Sequence, residues 1–142
     1  MIFWDTSAIV PLIVAEPLSN SAQALAKTDP DLLVWWATGT ECLSAVARRE
    51  RELVLTAADA DDARQLLGML TQSWNEILAT ETVRSHAARL LRRHPLRAAD
   101  ALQLAAALTW AQGRPTSHRV ATFDQRLAAA ARGEGFELAL SP

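Results

Sequence analysis

The chain of 142 residues contains one cysteine, one lysine and no tyrosine. The single cysteine, Cys42, excludes an internal disulfide and favours a reducing compartment, so we expect a cytoplasmic protein. No apolar stretch approaches the roughly 20 residues that span a bilayer, which predicts that no segment crosses a membrane. An acid at position 5 and the lack of a basic start argue against a signal peptide.

The composition that remains is typical of a globular protein, because 50% of the residues are hydrophobic and 21% are charged. A chain of this length buries enough apolar surface to fold without disulfides or a structural metal. No repeat, linker or low-complexity stretch divides it. We therefore predict a single domain over residues 1–142.

Charge is unevenly distributed, although the net charge is only -2. Residues 84–119 contain seven arginines and one acid, whereas residues 50–81 contain seven acids and two arginines. Such segregation can create a face that attracts phosphate on a nearly neutral protein. Solvated helix faces produce the same pattern, and charge alone favours that simpler interpretation.

Short apolar runs alternate with stretches of helical periodicity, which predicts an α/β fold with helices on both faces of a mostly parallel sheet of four to five strands. Crossover connections in such a fold place the carboxyl ends of the strands at one edge, where ligands bind. The predicted strands are Ile2–Trp4, Leu32–Trp36, Asn75–Ala79, Val120–Phe123 and Phe136–Leu140. The predicted helices are Ser7–Val14, Pro17–Lys27, Gly39–Leu53, Ala57–Ser73, Glu81–Arg93, Ala98–Ala111 and Gln125–Ala131.

Four acidic residues are expected near that edge. Asp5 and Asp124 end predicted strands, and Glu41 opens the helix after the second strand. Asp100 lies in the first turn of a very apolar helix, where a carboxylate needs a partner or a cation. Clustered carboxylates repel each other, and a hard cation such as Mg²⁺ relieves this repulsion. The combination predicts metal-dependent hydrolysis of phosphodiester bonds.

Each acid also has a simpler explanation when it is taken singly. Asp5 and Asp124 fit as helix N-caps, and Asp100 favours the dipole of its helix. Glu41 completes a capping box that begins at Thr38. Caps do not explain why all four acids converge on one edge beside plentiful arginines.

Four segments carry a resemblance to a known family. In order along the chain, they resemble the motifs of PIN-domain ribonucleases of the VapC toxin type, over essentially the whole chain. The resemblance implies a three-layer PIN fold and a magnesium-dependent endoribonuclease, with Mn²⁺ able to substitute, that cleaves RNA to inhibit translation and growth. It implies that Asp5, Glu41, Asp100 and Asp124 are the catalytic, metal-binding residues. The segments are Asp5-Thr6-Ser7-Ala8, Thr40-Glu41-Cys42-Leu43-Ser44-Ala45, Ala99-Asp100-Ala101-Leu102-Gln103-Leu104-Ala105 and Ala121-Thr122-Phe123-Asp124-Gln125-Arg126-Leu127.

Further residues are expected around these acids. The resemblance implies auxiliary hydroxyls at Thr6, Ser7 and Thr122, for which helix capping and strand packing are the alternatives. Arg48 shares a helix face with Glu41, and Arg97 lies three residues before Asp100. Both arginines are therefore candidates for binding substrate phosphate. Pairing with Glu52 is the alternative for Arg48.

The resemblance also implies partners: an RNA substrate, a second copy of the chain in a homodimer, and a VapB-like antitoxin whose C-terminal segment lies in a groove near the acids. Helices Ser7–Val14 and Gln23–Ala26 have apolar residues for such a groove, which would equally fill a core. Two other functions stay open. One is a metal-dependent nuclease of housekeeping RNA or DNA processing, and the other is a PIN fold that binds without catalysis.

Overall fold

The structure is a computed structural model that describes residues 1–140 and 142, and it places a parallel sheet between two layers of helices. In this part of the chain the strands are β1 (Phe3–Trp4), β2 (Leu33–Trp35), β3 (Asn75–Ile77), β4 (Arg119–Ala121) and β5 (Glu137–Leu140). The helices are α1 (Thr6–Ile13), α2 (Ser19–Thr28), α3 (Thr38–Arg51), α4 (Ala57–Thr71), α5 (Glu81–Arg93), α6 (Ala98–Trp110) and α7 (Gln125–Glu134).

The short first strand lies at the centre of the sheet, whose order is β3-β2-β1-β4-β5 with every pair parallel. Phe3 is in register with Leu33 of β2 on one side and with Val120 of β4 on the other. Because these strands run in the same direction, the carboxyl ends of β1, β2 and β4 lie at one edge. The prediction of an α/β fold with a parallel sheet between helices is confirmed.

Alternate residues of the central strands pack into two separate cores. Phe3 and Trp35 belong to the core shared with α5, α6 and α7. Trp4 and Val34 face the opposite layer and pack with residues of α1, α3 and α4. This alternation is what a strand covered on both faces requires. Within residues 1–140, no helix combines the length and the apolar character needed to cross a membrane.

Several helix boundaries differ from the predictions by one to three residues, and two of these differences have a clear structural cause. The second helix begins at Ser19 rather than at Pro17, because the Ser19 hydroxyl closes a turn: it accepts from the Glu16 N–H and donates to the Val14 carbonyl, both at 3.0 Å. The last helix continues three residues beyond its predicted end, to Glu134. It ends there because Gly135 adopts a left-handed conformation with φ of 103°, which glycine tolerates.

Candidate active site

A polar cavity of about 420 Å³ opens where the carboxyl ends of β1, β2 and β4 meet. Its lining includes all four acids predicted from the sequence, which come from four segments that are distant along the chain. A second cavity, of about 510 Å³, adjoins it and shares two of these acids. The four acids are Asp5, Glu41, Asp100 and Asp124.

Asp5 directly follows β1 and is the N-cap of α1, so the simple capping role is real. Its Oδ2 accepts three hydrogen bonds: from the Ser7 backbone N–H at 3.1 Å, from the Ser7 hydroxyl at 2.5 Å and from the Thr122 hydroxyl at 2.9 Å. No hydrogen bond from the described residues reaches Oδ1. One carboxylate oxygen is thus held by the protein, and the other is left for a ligand.

The two hydroxyls that bind Asp5 are themselves fixed by the segment after β4. The Phe123 N–H donates to Ser7 Oγ at 2.8 Å, and the Asp124 N–H donates to Thr122 Oγ1 at 3.1 Å. Each hydroxyl accepts from the backbone and donates to Asp5. Helix capping does not account for Ser7, because Asp5 is the N-cap of α1, and Thr122 has a hydrogen-bonding role beyond strand packing. Their hydrogen bonds tie the end of β1 to the end of β4.

Glu41 lies in the first turn of α3, but it does not form the capping box. The N-cap of α3 is Ala37, with no side-chain cap, and Thr38 is already inside the helix. Glu41 Oε2 instead accepts from the Thr6 hydroxyl at 2.8 Å and from Gln103 Nε2 at 3.3 Å. The carboxylate is therefore held towards α1 and α6 and away from its own helix terminus.

The other two acids lie side by side at the start of α6 and α7. Asp124 is the N-cap of α7, where its Oδ1 accepts from the Leu127 N–H at 2.7 Å. Asp100 is half-buried in the first turn of α6. The two acids line both cavities, together with Phe123. A capping role and a place in the site coexist at Asp124, as they do at Asp5.

The acids influence one another electrostatically. Burial raises the pKa of Asp5 to about 6, against the lowering effect of its hydrogen bonds, and the charge of Glu41 adds to the rise. Burial also raises the pKa of Glu41, to which Asp100 contributes. Burial and the charge of Asp124 raise the pKa of Asp100. Each carboxylate thus raises the pKa of the next one around the cavity, from Asp124 through Asp100 and Glu41 to Asp5. A cation would relieve their repulsion.

The donor set fits a hard divalent cation, because every candidate ligand in the cavity is an oxygen and several are carboxylates. In residues 1–140 and 142, no group of three or more histidine, cysteine, aspartate or glutamate side chains is already arranged to hold a metal ion. The acids therefore line one cavity, but they do not already surround a single position for an ion.

Cys42, next to Glu41, is a buried core residue. Burial raises the pKa of its thiol to about 12, so the thiol is not a reactive nucleophile.

The two arginines predicted to bind substrate line different cavities. Arg48 is exposed beside the acids in the first cavity and forms no ion pair with Glu52 in the described part of the chain. Arg97 lies immediately before α6 and lines the second cavity with Asp100. Its charge lowers the pKa of Asp100 against the effect of burial. Both arginines therefore lie where they can contact a phosphate near the acids.

Three features of the site were not predicted. Arg126, in the first turn of α7, lines the second cavity together with Arg97, and its place in the fourth motif segment, two residues after Asp124, was the available signal. Arg49, not Arg48, forms an ion pair with Glu16 at 3.0 Å on the rim of the first cavity. Gln103 was given no role in the site, yet its amide contacts Glu41.

Comparison with known proteins agrees with this geometry. The PIN domain family matches residues 2–133. Over 139 residues the chain is 34% identical to two Mycobacterium tuberculosis proteins, Ribonuclease VapC45 of strain CDC 1551 / Oshkosh and Ribonuclease VapC49 of strain ATCC 25618 / H37Rv, with 98% of this chain and 94% of each relative aligned. The chain belongs to the VapC-type PIN-domain ribonuclease family.

The fold of this VapC-type chain is also found in a solved toxin-antitoxin complex from Klebsiella pneumoniae. The TM-score is 0.65 at 15% sequence identity, and the match covers 90% of this chain and 91% of that chain. At this level of identity the likeness shows the fold. The VapC family match and the acidic cavity rest on separate observations, one of sequence and one of geometry.

Proposed function

We propose that this VapC-type chain is the toxin of a toxin–antitoxin pair: a magnesium-dependent endoribonuclease that hydrolyses phosphodiester bonds in RNA and thereby inhibits translation and growth. The observation that carries the proposal is the convergence of four carboxylates, from four separate segments, on one polar cavity. The names of the relatives, both ribonucleases, support RNA as the substrate. A buried, unreactive thiol as the only cysteine is compatible with action in the cytoplasm.

The acids and the hydroxyls of the site have different roles in this proposal. Asp5, Glu41, Asp100 and Asp124 would hold Mg²⁺, or Mn²⁺ in its place. Such an ion would supply Lewis acidity to the site, which would favour attack by water and stabilise negative charge on the leaving oxygen. The hydroxyls of Thr6, Ser7 and Thr122 would not bind the ion themselves, because each donates a hydrogen bond that holds an acid in place. This is the usual arrangement around metal ligands.

Substrate binding falls to the exposed arginines. The acids alone repel a phosphodiester, whereas Arg48 and Arg97 line the two cavities and offer guanidinium groups that bind phosphate in a bidentate manner. RNA would therefore lie across both cavities, with Asp100 and Asp124 at their junction. The backbone contacts position the substrate and carry no base preference.

We also propose that a VapB-like antitoxin and a second copy of the chain bind this protein. The solved relative from Klebsiella pneumoniae is a toxin-antitoxin complex. A third cavity, of about 440 Å³, has a mostly apolar lining that includes Leu12 of α1, Ala26 of α2 and Leu70 of α4, and it suits an apolar partner segment. Leu53 and Met69 are large apolar side chains that are 89% and 65% exposed, which supports self-association.

The test is cleavage of end-labelled single-stranded RNA by the purified chain with Mg²⁺, with Mn²⁺ and with EDTA. We expect cutting in both metals and none in EDTA. Asp5→Ala and Asp100→Ala should abolish cutting, while the control Asp62→Asn, an exposed acid on α4, should leave the rate unchanged. Cleavage that survives EDTA would overturn the metal mechanism, and activity in both alanine variants would overturn the site.

Two further arms separate the alternatives. A DNA oligonucleotide of the same base sequence tests for a nuclease of DNA processing, and preferential cleavage of it would contradict the RNA assignment. Expression in a bacterium, with and without the neighbouring open reading frame, tests the toxin role. We expect growth arrest that the neighbour relieves. RNA binding without cleavage in any divalent metal would instead indicate a non-catalytic PIN module.

A further inference from the structure

Gln103 is the one polar side chain of α6 that the structure buries almost completely, at 1% exposure. Its neighbours on the buried face of this helix are alanine and leucine. Its Nε2 lies 2.8 Å from Thr6 Oγ1, 3.2 Å from Thr38 Oγ1 and 3.3 Å from Glu41 Oε2. One amide nitrogen therefore contacts the starts of α1 and α3 and one acid of the site.

The direction of these hydrogen bonds follows from the number of protons available. The Thr6 hydroxyl has one proton and donates it to Glu41 Oε2 at 2.8 Å, so Thr6 must accept from Gln103. The opposite amide orientation would bring the Gln103 oxygen against the Glu41 carboxylate oxygen, which is repulsive. The amide thus donates, through Thr6 and directly, towards the same carboxylate oxygen.

This orientation has a cost. The Gln103 Oε1 atom is buried and has no hydrogen-bond partner among the described residues. A buried carbonyl without a partner destabilises the fold, and an apolar side chain of the same size would avoid this. A residue that served only to pack α6 would not be an amide here. The amide is explained by what its nitrogen does at Glu41.

We propose that Gln103 is a positioning residue of the active site, which holds Glu41, directly and through the Thr6 hydroxyl, in the place where Glu41 binds the divalent cation. This inference rests on the proposed metal-dependent function. With Gln103 and Thr6 in place, Glu41 Oε2 is engaged by the protein, whereas no hydrogen bond from the described residues reaches Glu41 Oε1, which is left for a ligand. The arrangement parallels Asp5, whose Oδ2 is held by Ser7 and Thr122.

The test is the substitution Gln103→Met, which keeps the volume of the side chain and removes both the donors and the unpartnered oxygen. Affinity for Mn²⁺ and Mg²⁺ is measured by calorimetry on the free protein without RNA. We expect affinity to fall by about 10- to 100-fold, as for other residues that orient metal ligands. The melting temperature in EDTA should stay close to that of the wild type, because removal of the unpartnered oxygen offsets the loss of the hydrogen bonds that the amide donates. Cleavage should recover at saturating metal concentration.

Leu104→Ala is the matched control, because Leu104 is the adjacent buried residue of α6 and has no polar contact with the site. It should lower the melting temperature and leave metal affinity unchanged. If Gln103→Met binds metal as tightly as the wild type, Gln103 is not a positioning residue, whereas the metal site stands. A wild-type chain that binds neither ion would overturn both proposals.

A double-mutant cycle gives a second measurement, which tests the connection between Gln103 and Thr6. Thr6→Ala removes the hydroxyl that connects Gln103 to Glu41, at a half-buried position outside the core, and leaves their direct contact. Because Gln103 acts partly through Thr6, the losses of metal affinity in Thr6→Ala and Gln103→Met should be partly non-additive in the double variant. Additive losses would show that the two residues act separately and would overturn the part of the proposal that runs through Thr6.

Discussion

At Asp5, folding and the proposed chemistry make opposite demands. The carboxylate is only 4% exposed, and burial raises its pKa to about 6 despite hydrogen bonds from Ser7 and Thr122. A charged group in this position destabilises the folded chain, and the neighbouring Glu41 adds to the cost. Asn would accept the same hydrogen bonds without the charge. Such trade-offs between stability and activity are expected where charges converge on a site.

Asp5→Asn should therefore stabilise the metal-free chain while it abolishes RNA cleavage. We expect an increase in the free energy of unfolding of about 1–2 kcal/mol at neutral pH in EDTA. The measurement is thermal or denaturant unfolding of both proteins under identical conditions. Ser7→Ala is the control: it removes a donor to Asp5 and should destabilise the chain. A less stable Asp5→Asn would show that the buried charge is already compensated.

Individual residues of the site show what the sequence could predict and what it could not. The proximity of Asp5, Glu41, Asp100 and Asp124 was predictable, because strand order and helix starts determine which edge they occupy. The capping box at Glu41 was wrong, because its proposed partner Thr38 is buried against Gln103, 65 residues away. A local pattern carries no information about such a distant partner. The roles of the four acids as metal ligands stay predictions.

At the scale of elements, the alternation of strands and helices predicted the layers and the site edge, whereas contacts between helices were out of reach. The clearest example joins the ends of α5 and α7. Glu134, whose side chain is 5% exposed, accepts from both terminal nitrogens of Arg89, at 3.3 and 2.7 Å, and lies 2.8 Å from His94 Nε2. Arg93 lies at 3.6 Å. These partners are 40 to 45 residues away from Glu134 in sequence.

Because of this contact, the folded chain should lose stability when the pH falls into the acid range. Burial raises the pKa of Glu134, but hydrogen bonds from Arg89 and His94 and the nearby arginine charges outweigh it, so the pKa lies below the usual value of 4.5. A lowered pKa stabilises the folded chain at any pH above 4.5, and this stabilisation is lost as pH falls through the folded-state pKa. We expect Glu134→Gln to cost about 1–3 kcal/mol at neutral pH.

The measurement is the free energy of unfolding of the wild type and of Glu134→Gln between neutral pH and pH values below 4.5. The difference between the two proteins should shrink as the carboxylate is protonated. Glu81→Gln is the matched control, because Glu81 pairs with Arg84 on the surface of α5, where both side chains are more than three-quarters exposed. It should have almost no effect. An equal effect of both variants would contradict the role of Glu134.

On the scale of the whole molecule, a net charge of -2 offers no general attraction to RNA, so binding depends on where the arginines lie. The excess of arginine between residues 84 and 119 does not form one uniform face. Arg89 and Arg93 are engaged with Glu134, whereas Arg97 lines the cavity that contains Asp100. Some arginines of this segment therefore form ion pairs within the fold, and others are available to bind a substrate. Only the folded arrangement separates the two groups.

Arg97→Ala should consequently weaken RNA binding and flatten its dependence on salt. Loss of one phosphate contact lowers the slope of log affinity against log salt by about 0.7 for a single strand. Binding is measured by fluorescence anisotropy in EDTA, where RNA is not expected to be cut. Arg119→Ala is the matched control, because Arg119 is exposed at the start of β4, at the opposite end of the strand from Asp124. A slope that falls equally in both variants would mean that net charge, not the position of Arg97, governs binding.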